Sequence, residues 1–464
     1  MASDGMETRP YKGHVLVVPA PTQGHINPML QFTKRLASKG LRATLAITRF
    51  IWNSRRPRPS ASVHLDIISD GYDEGGYTQA VDIRYYVSRF KAIGSETLAD
   101  LIIKYNHSDH PVDCVIYDSF CPWGLDVAKK FGLLAAAFFT QNCAVNYIYY
   151  LVHHGIMKLP LLDFPISIPG LPTLELSDFP SFIYDEESYH GYLEVLVGQF
   201  INADKADWIL VNTFSKLETE AVGAMSKLFP LLTIGPTIPS VYMDKRVEDD
   251  DDYGLHLFDL DSSDLDTWLG AHQPKSVVYV SFGSLSAVGE EQMEELAWGL
   301  HGSGHPFLWV VRASENTKIS KKCKEAIAAE QALIVSWCCQ LDVLSSGRIG
   351  CFFSHCGWNS TIEAISMGVP MVAMPQWTDQ TTDAKLVQDF WEVGVRIRAG
   401  EDGLVRRDEI ERSIREVMET ERGRTMTENA TKWMELAVEA VSEDGTTDRN
   451  IKDFISGIVS KKGS

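Results

Sequence analysis

Short apolar runs alternate with amphipathic segments along the first half of the chain. A run that begins at His14 is followed by a helical pattern that starts at Pro28 and stops at Gly40. The apolar runs that follow are Arg42–Thr48, 112–117 and Leu134–Phe139. Strands separated by helices are typical of a parallel sheet. This half is therefore predicted to be α/β.

The same alternation restarts after a polar, acidic segment at 245–263, which is predicted to be an interdomain linker. The predicted strands beyond it are 276–282, 307–311, 333–336, 349–353 and 369–374, and the predicted helices are 290–300 and 360–367. We therefore expect a second α/β domain. The expected divisions are an N-terminal domain over 1–244, a C-terminal domain over 264–440, and a helix over 441–464 that packs back on the N-terminal domain.

Length and charge narrow the classes of function. A chain of 464 residues is long enough for two domains, and 45% apolar with 23% charged residues is typical of a globular protein. The net charge of -19 and the lack of a long Lys/Arg run argue against a nucleic-acid partner. An anionic substrate would have to be bound by local dipoles and backbone N–H groups, because the overall field repels it.

The eight cysteines form no disulfide framework by spacing and are expected to be reduced thiols of a cytosolic protein. The first ten residues lack the apolar core of a signal peptide. The most apolar stretch, 132–152, is interrupted by polar residues, which favours a strand and a buried helix over a membrane span. We expect a cytoplasmic protein without a membrane anchor, and a monomer by default.

Ligands of open parallel sheets bind beyond the carboxyl ends of the strands. Residues that follow predicted strands are therefore the candidate site. They are 23–27, 118–120, Thr140, 283–284, Trp337 and 354–360.

His25 lies in a predicted strand-to-helix loop, where an imidazole is suited to act as a general base. Position alone is equally compatible with a helix-capping histidine. Asp118 ends a strand of the same sheet, and beside His25 it would fix the tautomer and stabilise the imidazolium; alone, it could equally cap the next helix. No Gly-x-Ser-x-Gly motif accompanies the pair, which disfavours a serine hydrolase.

A strand, a glycine turn and a helix start follow one another around Ser360. The unpaired N–H groups of such a helix N-terminus favour a diphosphate site over an ordinary cap. His355 and Ser360 add side-chain donors, and Glu363 one turn later is placed to accept from a ribose diol. Residues 283–284 offer a second close-approach turn.

These motifs resemble a known family. Residues 337–380 closely resemble the signature box of plant family 1 UDP-glycosyltransferases, and the resemblance extends over essentially the whole chain. The other matching motifs are Gly-His-Ile-Asn-Pro at 24–28, Tyr-Asp-Ser-Phe at 117–120, Phe-Phe-Thr-Gln-Asn at 138–142 and Ser-Phe-Gly-Ser at 281–284. The resemblance implies a GT-B fold, in which two doubly wound Rossmann-like domains face each other across a cleft.

The resemblance also implies a role for each matching position, with UDP-glucose as donor and no metal or other cofactor. The uridine would contact Trp337, by stacking, and Cys338, Gln340 and Glu363. The diphosphate would lie against Ser284, His355, Gly357, Trp358, Asn359 and Ser360. The glucose would contact Thr140, Trp377, Asp379 and Gln380.

The implied reaction is an inverting transfer in which His25, paired with Asp118, removes the acceptor proton. The acceptor would be a small phenolic, steroid, terpenoid or trichothecene alcohol, or a carboxylic acid. An aromatic set could line its pocket or be plain core: Phe120, Trp123, Tyr147, Phe179, Phe182 and Tyr184. A UDP-sugar epimerase or phosphorylase and a non-catalytic UDP-sugar binder are the alternatives.

Four positions depart from the usual family residues, which are Pro, His, Thr and Asn. Here they are Cys339, Ser346 and Ser354, and Asp383 three residues after Gln380. Asp383 adds a negative charge near the expected sugar site, so donor affinity or choice is the property most exposed to change. The Asp-x-Asp pairs at 259–261 and 264–266 are interpreted as surface charge rather than a metal site. The neighbouring Cys and His residues lack zinc-site spacing.

Overall fold

The computed structural model describes residues 11–55, 62–185, 187–248, 250–251, 253, 255–258, 265–328 and 332–462. Its first sheet has seven parallel strands, and every one of them contributes buried residues. They are β1 (His14–Val18), β2 (Arg42–Thr48), β3 (His64–Ile68), β4 (Cys114–Asp118), β5 (Leu134–Phe139), β6 (Trp208–Val211) and β7 (Leu231–Thr233). Their order, β3-β2-β1-β4-β5-β6-β7, reverses direction between β1 and β4.

Helices connect these strands, as expected for parallel neighbours. They are α1 (Gln23–Ser38), α2 (Arg49–Arg55), α3 (Ile83–Asn106), α4 (Trp123–Lys130), α5 (Cys143–His153), α6 (Ser181–Tyr184), α7 (Tyr192–Gly198) and α8 (Thr219–Met225).

The second sheet has six parallel strands in the order β10-β9-β8-β11-β12-β13, with its own reversal between β8 and β11. The strands are β8 (Val277–Ser281), β9 (Phe307–Val310), β10 (Ala332–Val335), β11 (Ile349–Ser354), β12 (Met371–Ala373) and β13 (Gly394–Arg396). The helices are α9 (Leu265–Gly270), α10 (Glu290–Gly302), α11 (Lys321–Ala328), α12 (Gln340–Ser345), α13 (Trp358–Ser366), α14 (Gln380–Asp389), α15 (Arg407–Glu419), α16 (Glu421–Val441) and α17 (Thr446–Lys462). The predicted pair of doubly wound α/β sheets is confirmed.

One predicted boundary is wrong. The pattern placed His25 in a loop and began the helix at Pro28, but α1 begins at Gln23, so His25 lies in its first turn and Pro28 lies inside it. An internal proline removes the donor to the carbonyl four residues earlier, here Gly24, and usually disfavours a helix. That carbonyl finds a donor elsewhere, as described below. Helix α13 likewise begins two residues before the predicted Ser360.

The last helix, α17, returns to the first sheet. The hydroxyl of Thr447 donates to the Gly235 carbonyl at 2.6 Å, and the Phe454 ring packs edge-on against Trp208 at 5.0 Å. The chain therefore passes between the two sheets twice. Arg246, beyond the first sheet, lies 3.3 Å from Asp448 in α17, so the two passages are joined by an ion pair.

Two global features accompany this fold. Within the described ranges, no helix combines the length and the apolar character that a bilayer crossing requires. All eight cysteines are free thiols, as the spacing predicted, and all except the partly buried Cys339 are buried.

Candidate active site

His25 and Asp118 are hydrogen-bonded to each other, as the sheet position predicted. Strands β1 and β4 are neighbours, and Asp118 ends β4 while His25 follows β1. The Nδ1 of His25 lies 2.7 Å from Oδ2 of Asp118, whose side chain is fully buried. An Nδ1–H that donates to the carboxylate leaves Nε2 as the free acceptor of the ring.

The surroundings of this pair fix its geometry. The Asp118 carboxylate also accepts from the backbone N–H of Ala20 at 3.1 Å and of Phe120 at 2.9 Å. The hydroxyl of Thr140, at the end of β5, lies 3.4 Å from His25 Nδ1. The Phe120 ring packs 4.6 Å from the imidazole. A carboxylate held by several donors is fixed in orientation, which suits it to stabilise an imidazolium.

The N-terminus of α13 lies beside the helix that carries His25. The side-chain amide of Asn359 donates to the Gly24 carbonyl at 2.7 Å. Because Pro28 has no N–H, this carbonyl has no donor from its own helix, and Asn359 supplies one. Trp358 makes a second link, from its indole N–H to the Asn212 carbonyl at 2.7 Å. Gly357 is the N-cap of α13 and no side chain caps the helix, so its first N–H groups lack helical partners.

His355 is enclosed by glycines. A Cβ on Gly283 or Gly357 would lie 2.7 or 2.8 Å from His355 Nε2, and Gly283 has a positive φ of 73°. Burial, with a smaller contribution from the charge of Arg312, lowers the pKa of His355 to about 4. The ring is therefore neutral near pH 7 and contributes a hydrogen-bond donor rather than a positive charge.

Glu363 lies at the centre of a buried polar cluster. Its Oε2 accepts from the side-chain amide of Gln340 at 2.7 Å, and its Oε1 accepts from the hydroxyl of Tyr253 at 2.6 Å. The Gln340 amide also donates to Ser360 at 3.0 Å. Burial raises the pKa of Glu363 to about 7, although both hydrogen bonds act against the shift.

Trp337 stacks on Phe258, with ring centroids 4.3 Å apart and an interplanar angle of 28°. The neighbouring Cys338 is buried, and its Sγ lies 3.6 Å from the Tyr279 hydroxyl. Phe258 and Tyr253 both belong to the segment between the two sheets, so this segment contacts Trp337 and Glu363 directly. These two contacts were not predicted, because the acidic run indicated only a solvated linker.

The loop before α14 is folded around Gln380. Its Oε1 accepts from the backbone N–H groups of Gln376 at 2.9 Å and Trp377 at 3.2 Å. The Trp377 ring packs among the rings of Phe182, Tyr189 and Tyr192, with centroids 5.7 to 5.9 Å away. Asp379 is buried, and burial raises the pKa of its carboxyl.

Comparisons with known proteins identify relatives over nearly the whole chain. A sequence model of the family described as UDP-glucoronosyl and UDP-glucosyl transferase matches residues 250–434. Flavonol 7-O-beta-glucosyltransferase UGT74F1 of Arabidopsis thaliana is 50% identical over 451 residues, 96% of this chain and 98% of the relative. UDP-glycosyltransferase 74F2 of the same plant is 51% identical over 454 residues, 97% and 99% of the two chains.

A solved structure matches over the same length. The crystal structure of Os79 from O. sativa in complex with UDP aligns with a TM-score of 0.90 at 39% identity, covering 96% of this chain and 100% of the other. Os79 has also been crystallised with U2F and trichothecene. This chain belongs to the plant family 1 UDP-glycosyltransferases. It is a UDP-glucosyltransferase with the GT-B fold.

The structure adds residues of this glycosyltransferase that the sequence did not single out. Arg312 follows β9 and donates from its two guanidinium NH2 groups to the carbonyls of Ser284 and Ser286, which fixes the turn after β8. Its place beyond a strand end is the signal that would have found it. Ser181 accepts from the Thr378 backbone N–H at 2.7 Å and ties the loop before α14 to the first half of the chain.

The aromatic set suggested for the acceptor divides into two groups in this glycosyltransferase. Trp123, Phe179 and Phe182 are buried core residues. Tyr147 and Phe120 are half-buried, and Tyr184 is exposed.

Among the described residues, no group of three or more His, Cys, Asp or Glu side chains is arranged to hold a metal ion. Residues 259–264, which include most of the two Asp-x-Asp pairs, lie outside the described part.

Proposed function

We propose that this glycosyltransferase transfers glucose from UDP-glucose to a hydroxyl or carboxyl group of a small lipophilic or phenolic molecule, with inversion at the anomeric carbon. The observation that carries the proposal is the 2.7 Å contact of His25 Nδ1 with buried Asp118, beside the uncapped N-terminus of α13. The arrangement combines a general base and an anion site within one cleft.

The proposed step is a single displacement. Nε2 of His25 accepts the proton of the acceptor, and the acceptor oxygen forms a bond to the anomeric carbon as the bond from that carbon to the diphosphate oxygen breaks. UDP leaves with the bonding electrons, and the product is a β-glucoside. Asp118 stabilises the imidazolium that results, since it accepts from the opposite ring nitrogen.

The diphosphate is assigned to the N-terminus of α13, with Gly357, Trp358 and Asn359 supplying backbone groups and Ser360, His355 and Ser284 supplying donors. The helix dipole favours negative charge at this end and attracts the diphosphate locally, against the overall charge of -19. A neutral His355 donates one hydrogen bond to the leaving oxygens.

The two ends of the donor are assigned to the two remaining clusters. Uracil is assigned to Trp337 and the backbone of Cys338, and the ribose diol to Gln340 and Glu363. The glucose hydroxyls are assigned to Thr140, Trp377, Asp379 and Gln380. A ribose bound at Glu363 would replace the hydroxyl of Tyr253, which now donates to the same carboxylate.

The acceptor is assigned to the side of His25 where Phe120 packs on the imidazole. Flavonol and trichothecene are named for two relatives, and both are polycyclic molecules with hydroxyl groups. A small, mainly apolar acceptor is consistent with the half-buried rings of Phe120 and Tyr147. We extend the proposal to a cytoplasmic, monomeric enzyme that uses no metal.

Incubation with UDP-glucose, a panel of phenols, steroids, terpenoid alcohols and aromatic acids, and a chelator tests the proposal. A mass gain of one hexose that survives chelation is expected, and His25→Ala should reduce the rate by about 10²–10⁴-fold. His107→Ala, which changes an exposed histidine at the C-cap of α3, is the control variant. Full activity of His25→Ala, or UDP-glucose consumed without a glucoside, would contradict the proposal, and the second result would favour an epimerase.

A further inference from the structure

Asp383 in α14 joins the two halves of the molecule. Its Oδ1 accepts from the side-chain amide of Asn142 at 2.5 Å, and both side chains are buried. The other end of the Asn142 side chain caps α5 by accepting from the Val145 N–H at 2.8 Å. The Asn142 amide is therefore fixed in orientation, with its N–H toward Asp383.

The second oxygen of Asp383 has an acidic neighbour. Oδ2 is buried, and no donor among the described residues reaches it. Asp379 is the N-cap residue of α14, and its backbone carbonyl accepts from the Asp383 N–H at 2.9 Å, so the two carboxyl side chains are neighbours one helical turn apart. Two neighbouring buried carboxyl groups favour the sharing of one proton, because two adjacent buried charges repel each other strongly.

The groups around the pair do not supply a compensating positive charge. Glu218 is a third buried carboxyl, and it accepts from the backbone N–H groups of Ala144 at 2.9 Å and Cys143 at 3.2 Å. Tyr149 and Cys356 also face the pair, and burial raises the pKa of both. The nearby cations Lys385 and Arg396 form ion pairs with Asp178.

We infer that Asp383 is a positioning residue that donates its carboxyl proton in a hydrogen bond to Asp379, holding that carboxylate in place for the donor sugar. The inference rests on the proposed assignment of Asp379 to the glucose hydroxyls. When the shared proton is lost as pH rises, the binding of UDP-glucose weakens. The binding of UDP is unchanged, because UDP carries no sugar to contact Asp379. Burial raises the pKa of Asp383 well above its ordinary value, and the charge of Asp379 raises it further.

Position 383 has Asp in place of the usual Asn of the family, and this difference explains why the contact with Asp379 depends on pH. An asparagine here would accept from Asn142 through its oxygen and donate to Asp379 through its amide, so both hydrogen bonds would form without a titrating proton. An aspartate of the same shape forms both only while it is protonated. Asp383 therefore converts a permanent contact into one that depends on pH.

The test compares two ligands in the absence of an acceptor, so the proton transfer by His25 does not contribute. Calorimetry gives the Kd of UDP-glucose and of UDP at about pH 6.5 and about pH 9, for the native protein and for Asp383→Asn. Glu363 titrates in the same interval but acts on the uridine of both ligands, and the terminal phosphate of UDP, with a second pKa of about 6, is mostly ionised over this interval. The ratio of the Kd of UDP-glucose to the Kd of UDP therefore reports mainly on the sugar end. We expect this ratio to rise about tenfold with pH in the native protein and to stay constant in Asp383→Asn.

Three further variants make the test specific. Asp379→Asn replaces the other carboxyl of the pair, so the ratio of the two Kd values should again be independent of pH, with weaker binding of UDP-glucose. This variant tests the inference if Asp383→Asn does not fold. Glu218→Gln, at the third carboxyl, and Asp389→Asn, near the exposed end of the same helix, should keep the native rise.

A native ratio that does not change with pH, or a rise that persists in Asp383→Asn, would overturn the inference. A constant ratio in Glu218→Gln would assign the proton to Glu218 instead and would also overturn it. Failure of the native protein to bind UDP at either pH would instead remove the proposed function, and this inference with it.

Discussion

The side-chain amide of Asn359 donates a 2.7 Å hydrogen bond to the carbonyl oxygen of Gly24. This bond ties the N-terminus of α13 to the first turn of α1, next to His25. It forms because Pro28 leaves the Gly24 carbonyl without a donor in its own helix. The position of the base relative to the proposed diphosphate site therefore depends on one proline in one half of the chain and one amide in the other.

Asn359→Ala is expected to lower kcat/KM by about 10–100-fold, because it removes this link and leaves a partly buried carbonyl without its donor, at a cost of about 1–3 kcal/mol. Steady-state kinetics with UDP-glucose give the value. Asn429→Ala is the matched control, since its amide also donates to a backbone carbonyl, that of Glu392, but on the exposed surface. Equal activities for the two variants would refute the link between the two helices.

Asp118→Asn is expected to lower kcat by about 10³–10⁴-fold with a small change in KM, because an amide neither fixes the His25 tautomer nor stabilises the imidazolium. The comparison is kcat at saturating UDP-glucose and acceptor. Asp82→Asn, at the N-cap of the exposed start of α3, is the control. If Asp118→Asn retained about a tenth or more of the native kcat, the result would argue against Asp118 as the partner of the base.

Gly283→Ala is expected to weaken UDP binding, because its Cβ would lie 2.7 Å from His355 Nε2 and its φ is 73°. Gly304→Ala is a close control, since Gly304 has nearly the same φ, 74°, but nothing within 4 Å of the added Cβ. Backbone strain alone should then cost both variants about 1 kcal/mol of stability. Only Gly283→Ala should raise the Kd for UDP, by about tenfold, as measured by calorimetry. A similar Kd in both variants would exclude His355 from the UDP site.

Glu363 makes the stability of the protein depend on pH. Its pKa rises on folding from 4.5 to about 7, so between these values the folded state holds a proton that the unfolded state has released. The free energy of unfolding contributed by this group therefore falls as pH rises from 4.5 to 7. Glu363→Gln should make this fall in the free energy of unfolding smaller by about 1–3 kcal/mol. Urea unfolding at the two ends of the pH interval measures the difference. Glu428→Gln, a change of an exposed residue in α16, is the control and should show the same fall in the free energy of unfolding as the native protein. The same fall in Glu363→Gln would contradict its assignment to Glu363.

The contact of His25 with Asp118 could be predicted because it depends on sheet order. Where the strand order of a parallel sheet reverses, the two strands on either side are neighbours and their carboxyl ends lie side by side, independently of the rest of the chain. Likewise, the glycine turn and polar donors around Ser360 are local in sequence, and α13 begins within two residues of the predicted position.

The contacts that the sequence did not predict all join distant segments. The start of α1 was misplaced because the partner that makes Pro28 tolerable, Asn359, lies in the other half of the chain. The bond of Tyr253 to Glu363 spans 110 residues, and that of Asn142 to Asp383 spans 241. Propensity and periodicity describe only neighbours along the chain, so such pairings require the tertiary structure.

The return of α17 to the first sheet affects how relatives of this protein can be recombined. The buried side chains of Ile451, Phe454 and Ile458 belong to the same core as β1, although they lie in α17, which follows the second sheet along the chain. A chimera that exchanges donor halves should therefore be joined after α16, with α17 kept from the parent that supplies the first sheet. Exchange of the whole C-terminal half would pack α17 of one parent against the first-sheet core of the other, and the two would not be complementary even if the donor sites of both parents were intact.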